Sequence, residues 1–137
     1  MLKKRIAEIG GCSVLLLDTI TALTHDDKSA IAISGSHGGS SSGAIALGYH
    51  PALAVFNDAG VGKDKAGIVA LDMFEAAGLP AATVSHVSAR IGDAADMWEN
   101  GIISYSNPRA IAAGLVPGSK LQEVIRSLEG KLPAKIS

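Results

Sequence analysis

The sequence predicts a single α/β domain, layered around a mostly parallel central sheet, and three observations carry that prediction. Short apolar runs recur at residues 30–34, 52–56, 81–85 and 102–106. The first three are near-continuous in hydrophobicity instead of alternating, as strands buried on both faces are. Helical patterns fill the gaps between them, so strand and helix alternate along the chain. Residues 4–9 and 13–17 read as two further strands joined at Gly10-Gly11, an N-terminal β-hairpin.

Taken in order, the hairpin is followed by a polar turn, Thr24-His-Asp-Asp-Lys28, and then by the first buried strand. A helix fits between the Gly/Ser-rich stretch after residue 34 and the strand at 52–56. Residues 64–77 place Val69, Ala70, Met73, Phe74 and Ala77 on one stripe, with Asp64, Asp72 and Glu75 largely opposite. Gly78 and Pro80 then close that helix. Residues 93–100 form a short helix capped by Asp93, with Met97 and Trp98 inward. Asn107-Pro108 is an N-cap followed by a first-turn proline. Ser119-Lys-Leu-Gln122 reads as a capping box, with Leu121, Val124, Ile125 and Leu128 following at helical spacing. The order is β-β-β-α-β-α-β-α-β-α-α over residues 1–137, with helices packed on the sheet and a frayed tail after Gly130.

Composition narrows the function classes. The 137 residues are 47% hydrophobic and 18% charged with a formal net charge of −1, which excludes a disordered chain and a basic nucleic-acid binder. One cysteine, Cys12, cannot build a disulfide framework, so a reducing cytoplasm is expected. Met1–Arg5 is basic like the start of an export signal, but no apolar run follows, and Asp18 interrupts the run at 14–17. No membrane partner is expected.

The candidate chemistry lies in three segments that follow buried strands, where α/β sheets bind ligands. In Ser34-Gly-Ser-His-Gly-Gly-Ser-Ser-Ser-Gly43, nine of ten residues are glycine or serine. Read as a long loop entering a helix, it offers backbone N–H groups and hydroxyls to an anion through Ser36, Gly38, Gly39, Ser40 and Ser42. The second segment, Asn57-Asp-Ala-Gly-Val-Gly-Lys-Asp-Lys65, contributes Asn57, Asp58, Gly60, Gly62 and Lys63. It misses the nucleotide phosphate-loop pattern at Asn57 and Asp64, so a triphosphatase is not expected. The third, Ser85-His-Val-Ser-Ala-Arg-Ile-Gly-Asp93, contributes His86 and the forked donors of Arg90.

Catalytic candidates are His37 and His86 as acid/base groups and Ser41 as nucleophile. Gly39-Ser-Ser-Ser-Gly43 has nucleophile-elbow spacing around Ser41, and Asp58 and His86 follow in hydrolase order. Read as seven positions beyond the strand, Ser41 is poorly placed for an elbow. His25, His37, His50 and His86 lack metal-ligand spacing, so no metal site is expected. Asp26-Asp27 reads as a solvated pair.

Two resemblances follow from these motifs. Ser36-His37-Gly-Gly-Ser-Ser-Ser-Gly-Ala-Ile45, then His50-Pro-Ala-Leu-Ala-Val55, resembles the swivelling β/β/α domains, of the phosphohistidine type or of the aconitase-X small-domain type. That resemblance implies an active-site edge at residues 36–42, completed by another domain or subunit. Residues 70–124 are similar to YunC-like domains of unknown function, through Gly78-Leu-Pro-Ala-Ala82, a Val-Ser strand, and Gly114 and Gly118 before the last helix. Both resemblances imply a small α/β domain.

The reading of the sequence is a domain that holds a small anionic metabolite, a carboxylate or phosphate, in Gly/Ser-rich βα loops. A hydrolase or lyase of a small carboxylated substrate, using His and Ser, is the first alternative. A structural subunit active only with a partner is the second. The residues name no cofactor and leave open whether the chain is an enzyme. A mean hydropathy of +0.30, with Met97, Trp98 and Tyr105 late in the chain, points to a homo-oligomer, a dimer or trimer.

Overall fold

A computed structural model describes residues 1–129, so the expected fraying after Gly130 lies outside the described residues. Six strands form one sheet: β1 (Lys3–Ile9), β2 (Cys12–Leu17), β3 (Ile31–His37), β4 (Leu53–Asn57), β5 (Ala81–Val84) and β6 (Ile103–Ser106). Each pairs with its sequence neighbour. β2 to β5 are parallel, while β1 and β6 flank them antiparallel. The helices are α1 (Ser40–Gly48), α2 (Val69–Ala76), α3 (Ala94–Asn100), α4 (Pro108–Ala112) and α5 (Leu121–Arg126). The expected element order and the N-terminal hairpin are both present.

Burial on both faces explains the near-continuous apolar runs. Alternate residues of each strand serve opposite cores, as a period of two requires. Leu15, Leu17, Ala32, Ala54 and Phe56 meet Ala46 of α1 and Ala70, Leu71 and Phe74 of α2. Val14, Leu16, Ile31, Ile33, Leu53, Val55, Ala82 and Val84 meet Met97, Trp98, Ala110, Leu121 and Ile125 of the other three helices. Strands added in order with crossovers of one hand place α1 and α2 together on one face. Phe56 and Phe74 meet edge-to-face there, with centroids 6.0 Å apart. Gly43 lets α1 approach α2 closely, since a Cβ on it would stand 3.0 Å from Ala70 Cβ and from Met73 Sδ.

Four details depart from the sequence reading. β3 continues to His37 and α1 begins at Ser40, so the ten-residue loop is in fact the Gly38-Gly39 dipeptide. The strand persists because Ser34 Oγ accepts the Ser36 amide, Ser36 Oγ accepts the Ile20 amide, and His37 pairs with Asn57. α2 begins at Val69, not 64, because residues 63–68 form a kinked 3-10 turn with Asp64 and Lys65 in left-handed backbone. The inward residues of α2 are Ala70, Leu71 and Phe74, while Ala77 is exposed.

The capping box at Ser119 does not form. The Ser119 carbonyl accepts the Ile103 amide beside β6, and the N-cap position falls to Lys120. The other two caps form as expected: Asp93 accepts the Asp96 amide at 3.0 Å and Asn107 the Ala110 amide at 2.9 Å. No described helix is long and apolar enough to cross a membrane.

Candidate functional site

After β5 the chain crosses to the opposite face, and residues 85–93 run as a strap over the carboxyl ends of the parallel strands. Each strand end holds the strap by a different polar group. The Asp58 carboxylate accepts the His86 amide at 3.2 Å, and Asn57 Nδ2 donates to the Ala89 carbonyl at 3.0 Å. The Gly35 carbonyl accepts the Gly92 amide at 2.8 Å, and Asp18 Oδ1 accepts the Ala94 amide at 3.0 Å. Gly35 has to be glycine, since a Cβ there would stand 2.6 Å from the Asp18 carbonyl oxygen and 2.8 Å from Gly92.

An open cleft of about 360 Å³ lies beside the far end of the strap. Its walls are the end of β2 and the following residues (Asp18–Thr21), the end of β3 (Gly35, Ser36, His37), the first turns of α1 (Ser41, Ser42, Ile45), and Ile91-Gly92 of the strap. Of the residues singled out from sequence, Ser36, His37, Ser41 and Ser42 meet here. The first N–H groups of α1 have no acceptor within the helix, and no side chain caps them. The His37 ring lies against Gly39, so closely that a Cβ on Gly39 would overlap it. Asp18 brings a negative charge to this wall of the cleft. Its two oxygens receive the amides of Leu2 and Ala94, which hold its carboxyl below the usual range despite some burial.

Beyond β4 the geometry differs. Ala59, Gly60, Val61 and Gly62 all have positive φ, as do Asp64 and Lys65. Every amide from Ala59 to Gly62 is consumed inside the protein: by Asn57 Oδ1, Asp58 Oδ1, the Asp58 carbonyl and the Gly60 carbonyl in turn. The Gly62-to-Gly60 bond closes a three-residue turn on Val61 with φ 70°, a strained form for a β-branched residue. Gly60 and Gly62, expected among the ligand-binding residues, therefore have their amides already bonded within the turn. Asn57 is fully buried with both ends of its amide bonded to backbone, so it fastens the strap and turn instead of facing a ligand.

The same region brings Asp58 and His86 together. His86 Nδ1 lies 3.3 Å from Asp58 Oδ1, with the ring 51% exposed and the carboxylate 6% exposed. Burial pushes the Asp58 carboxyl up. Hydrogen bonds from the Gly60 amide, the Ser104 hydroxyl and the amide and ring of His86 outweigh it and hold the group below the usual carboxylate range.

Lys63 and Arg90 are exposed, and neither makes an ion pair among the described residues. Neither lines the α1 cleft, nor does any residue of 57–65. Ser41 sits in the first turn of α1, and the cleft it lines includes neither Asp58 nor His86. Among the described residues, no three His, Cys, Asp or Glu side chains are grouped to hold a metal ion.

Sequence reading missed Asp18, Gly35 and Ser104. For Asp18 the signal was present, an acid ending an apolar run at the carboxyl end of a strand. Gly35 and Ser104 carry none, because their roles arise only from the strap and from β6. Comparison with known proteins gives no match to a family model, a curated protein or a solved structure.

Proposed function

We propose that this protein binds a small anionic metabolite, a carboxylate or a phosphate, in the cleft between α1 and the strap. The observation that carries this reading is an open cleft whose polar wall is the uncapped start of a nine-residue helix. Free N–H groups and the helix dipole both favour negative charge at that point. Ser36 and Ser41 add hydroxyls, and His37 adds a ring nitrogen that can donate. The volume lies at the small end of ligand sites, which fits a metabolite of a few heavy atoms.

The test is thermal unfolding with inorganic phosphate and with succinate as probes. At a hundredfold excess over the dissociation constant, binding adds about 2.7 kcal/mol to stability and raises the melting temperature. Ser41→Asp, which sets a negative charge at the helix start, is expected to abolish the rise, whereas Lys63→Ala is expected to keep it. A Ser41→Asp protein stabilised as much as the parent overturns the placement. The expected self-association would use Tyr105, Ile111 and Val116, exposed on β6, α4 and the turn after α4. Sedimentation as a single species of 13.9 kDa would remove it.

A further inference from the structure

We infer that Asp58 and His86 form a hydrolytic centre distinct from the α1 cleft, in which His86 Nε2 activates water against a small acyl ester. Holding the strap requires only the His86 backbone amide, which Asp58 already accepts. The additional approach of the ring, Nδ1 to Oδ1 at 3.3 Å, is left unexplained by that task. An anionic acceptor at Nδ1 selects the tautomer with hydrogen on Nδ1, which leaves the Nε2 lone pair directed away from Asp58. Distances of this length are usual before substrate draws such a pair together. Gly60 lies beside the ring, where an added Cβ would stand 3.5 Å from His86 Cε1, in ordinary contact.

The exposure of the ring decides the reaction class. Carbanion chemistry needs water excluded, whereas a half-exposed imidazole has water at hand as the nucleophile. Lys63 and Lys65 follow this turn and make no ion pair among the described residues, so an ester that carries a carboxylate is tested beside a neutral one. In the reaction, the water oxygen bonds to the ester carbonyl carbon while its proton passes to Nε2. Collapse of the tetrahedral intermediate breaks the carbon–oxygen bond, and the leaving alcohol takes that proton from Nε2. Ester and water become acid and alcohol, with His86 restored. His86 is the catalytic residue, and Asp58 is a positioning residue that also stabilises the transient imidazolium.

The probes are p-nitrophenyl acetate and mono-p-nitrophenyl succinate, assayed with the full chain. Both His86→Ala and His86→Gln are expected to lose the rate by about a hundredfold, the lower end for general-base catalysis. Asp58→Asn preserves an oxygen for the two amides. It is expected to lower kcat about tenfold or more with KM unchanged, a split that a purely structural role would not give. His25→Ala and His50→Ala, remote from the pair in sequence, are expected to hydrolyse like the parent. Nitrogen-15 spectra of the parent, recorded at a pH where imidazole is unprotonated, are expected to show the His86 ring hydrogen on Nδ1. Hydrolysis that survives both His86 substitutions, hydrolysis shared equally among the histidines, or a proton found on Nε2 overturns the inference.

Discussion

The two halves of the sheet's carboxyl edge have similar glycine-rich sequences and opposite hydrogen-bond economies. Where β2 and β3 end, the start of α1 has amides with no partner and a cleft in front of them. Where β4 ends, four successive amides are spent within the turn, and what faces outward is a side-chain pair, Asp58 and His86. Glycine content therefore does not mark a ligand cradle by itself. The deciding quantity is whether the N–H groups it frees are already taken, because a satisfied donor has nothing left to give an anion.

Glycine substitutions break the comparison most severely. At Gly67 an added Cβ would overlap the Asp58 carbonyl oxygen, and at Gly35 it would stand 2.6 Å from the Asp18 carbonyl. Gly67→Ala and Gly35→Ala are each expected to cost about 3 kcal/mol, read from urea unfolding. Gly62 faces open space and is constrained only by its φ of 74°, so Gly62→Ala is expected to cost about 1 kcal/mol. Equal losses at Gly35 and Gly62 would mean that backbone angle, not close approach, governs both halves.

Asn57→Ala comes next, at about 2 kcal/mol, since it strands the Ala59 amide and the Ala89 carbonyl. Hydrogen exchange at Ala59 is expected to accelerate, while exchange at the core amides of β3 changes only with global stability. Protection that persists at Ala59 would show that the turn holds without the strap.

The smallest effect is on acid stability. Asp18 owes its lowered carboxyl chiefly to the Leu2 and Ala94 amides, and Asp58 owes its own to donors that overcome burial. Both ionise more readily folded than unfolded, so both contribute stability above the ordinary carboxylate value, about 3.9. That contribution is lost as pH falls through the lower folded value. Asp18→Asn and Asp58→Asn are expected to flatten the acid limb of melting temperature against pH between about 5 and 2. An unchanged limb in either variant would remove that half's aspartate from the account.

The order of elements was legible because hydrophobic period and caps agree locally. Buried runs at 30–34, 52–56 and 81–85, Asp93, and Asn107-Pro108 each state their own structure. The extent of β3 was not legible, because Ser34-Gly-Ser-His37 carries no apolar pattern and is held extended by Ile20, Asn57 and Gly92 from elsewhere in the chain. Adjacency of Asp58 and His86 could be read from topology, since both follow neighbouring parallel strands. The separation of Lys63 from the cleft could not, because it depends on a run of left-handed residues that includes Ala59, Val61 and Lys65, none of which favours that backbone.

The sequential strand order also shapes how this chain can find its structure. Every sheet pairing joins consecutive strands, so Val14 meets Ile31, Ile31 meets Leu53, and Ala54 meets Ala81. No strand has to be inserted between two that are already paired. The entropy of closing each loop is therefore met in modest instalments, and the sheet can zip from its N-terminal hairpin as the chain lengthens. The distant closure is reserved for α5, whose Leu121 and Ile125 seal the second core, while Glu129 reaches back to accept the Gly10 amide at 2.8 Å.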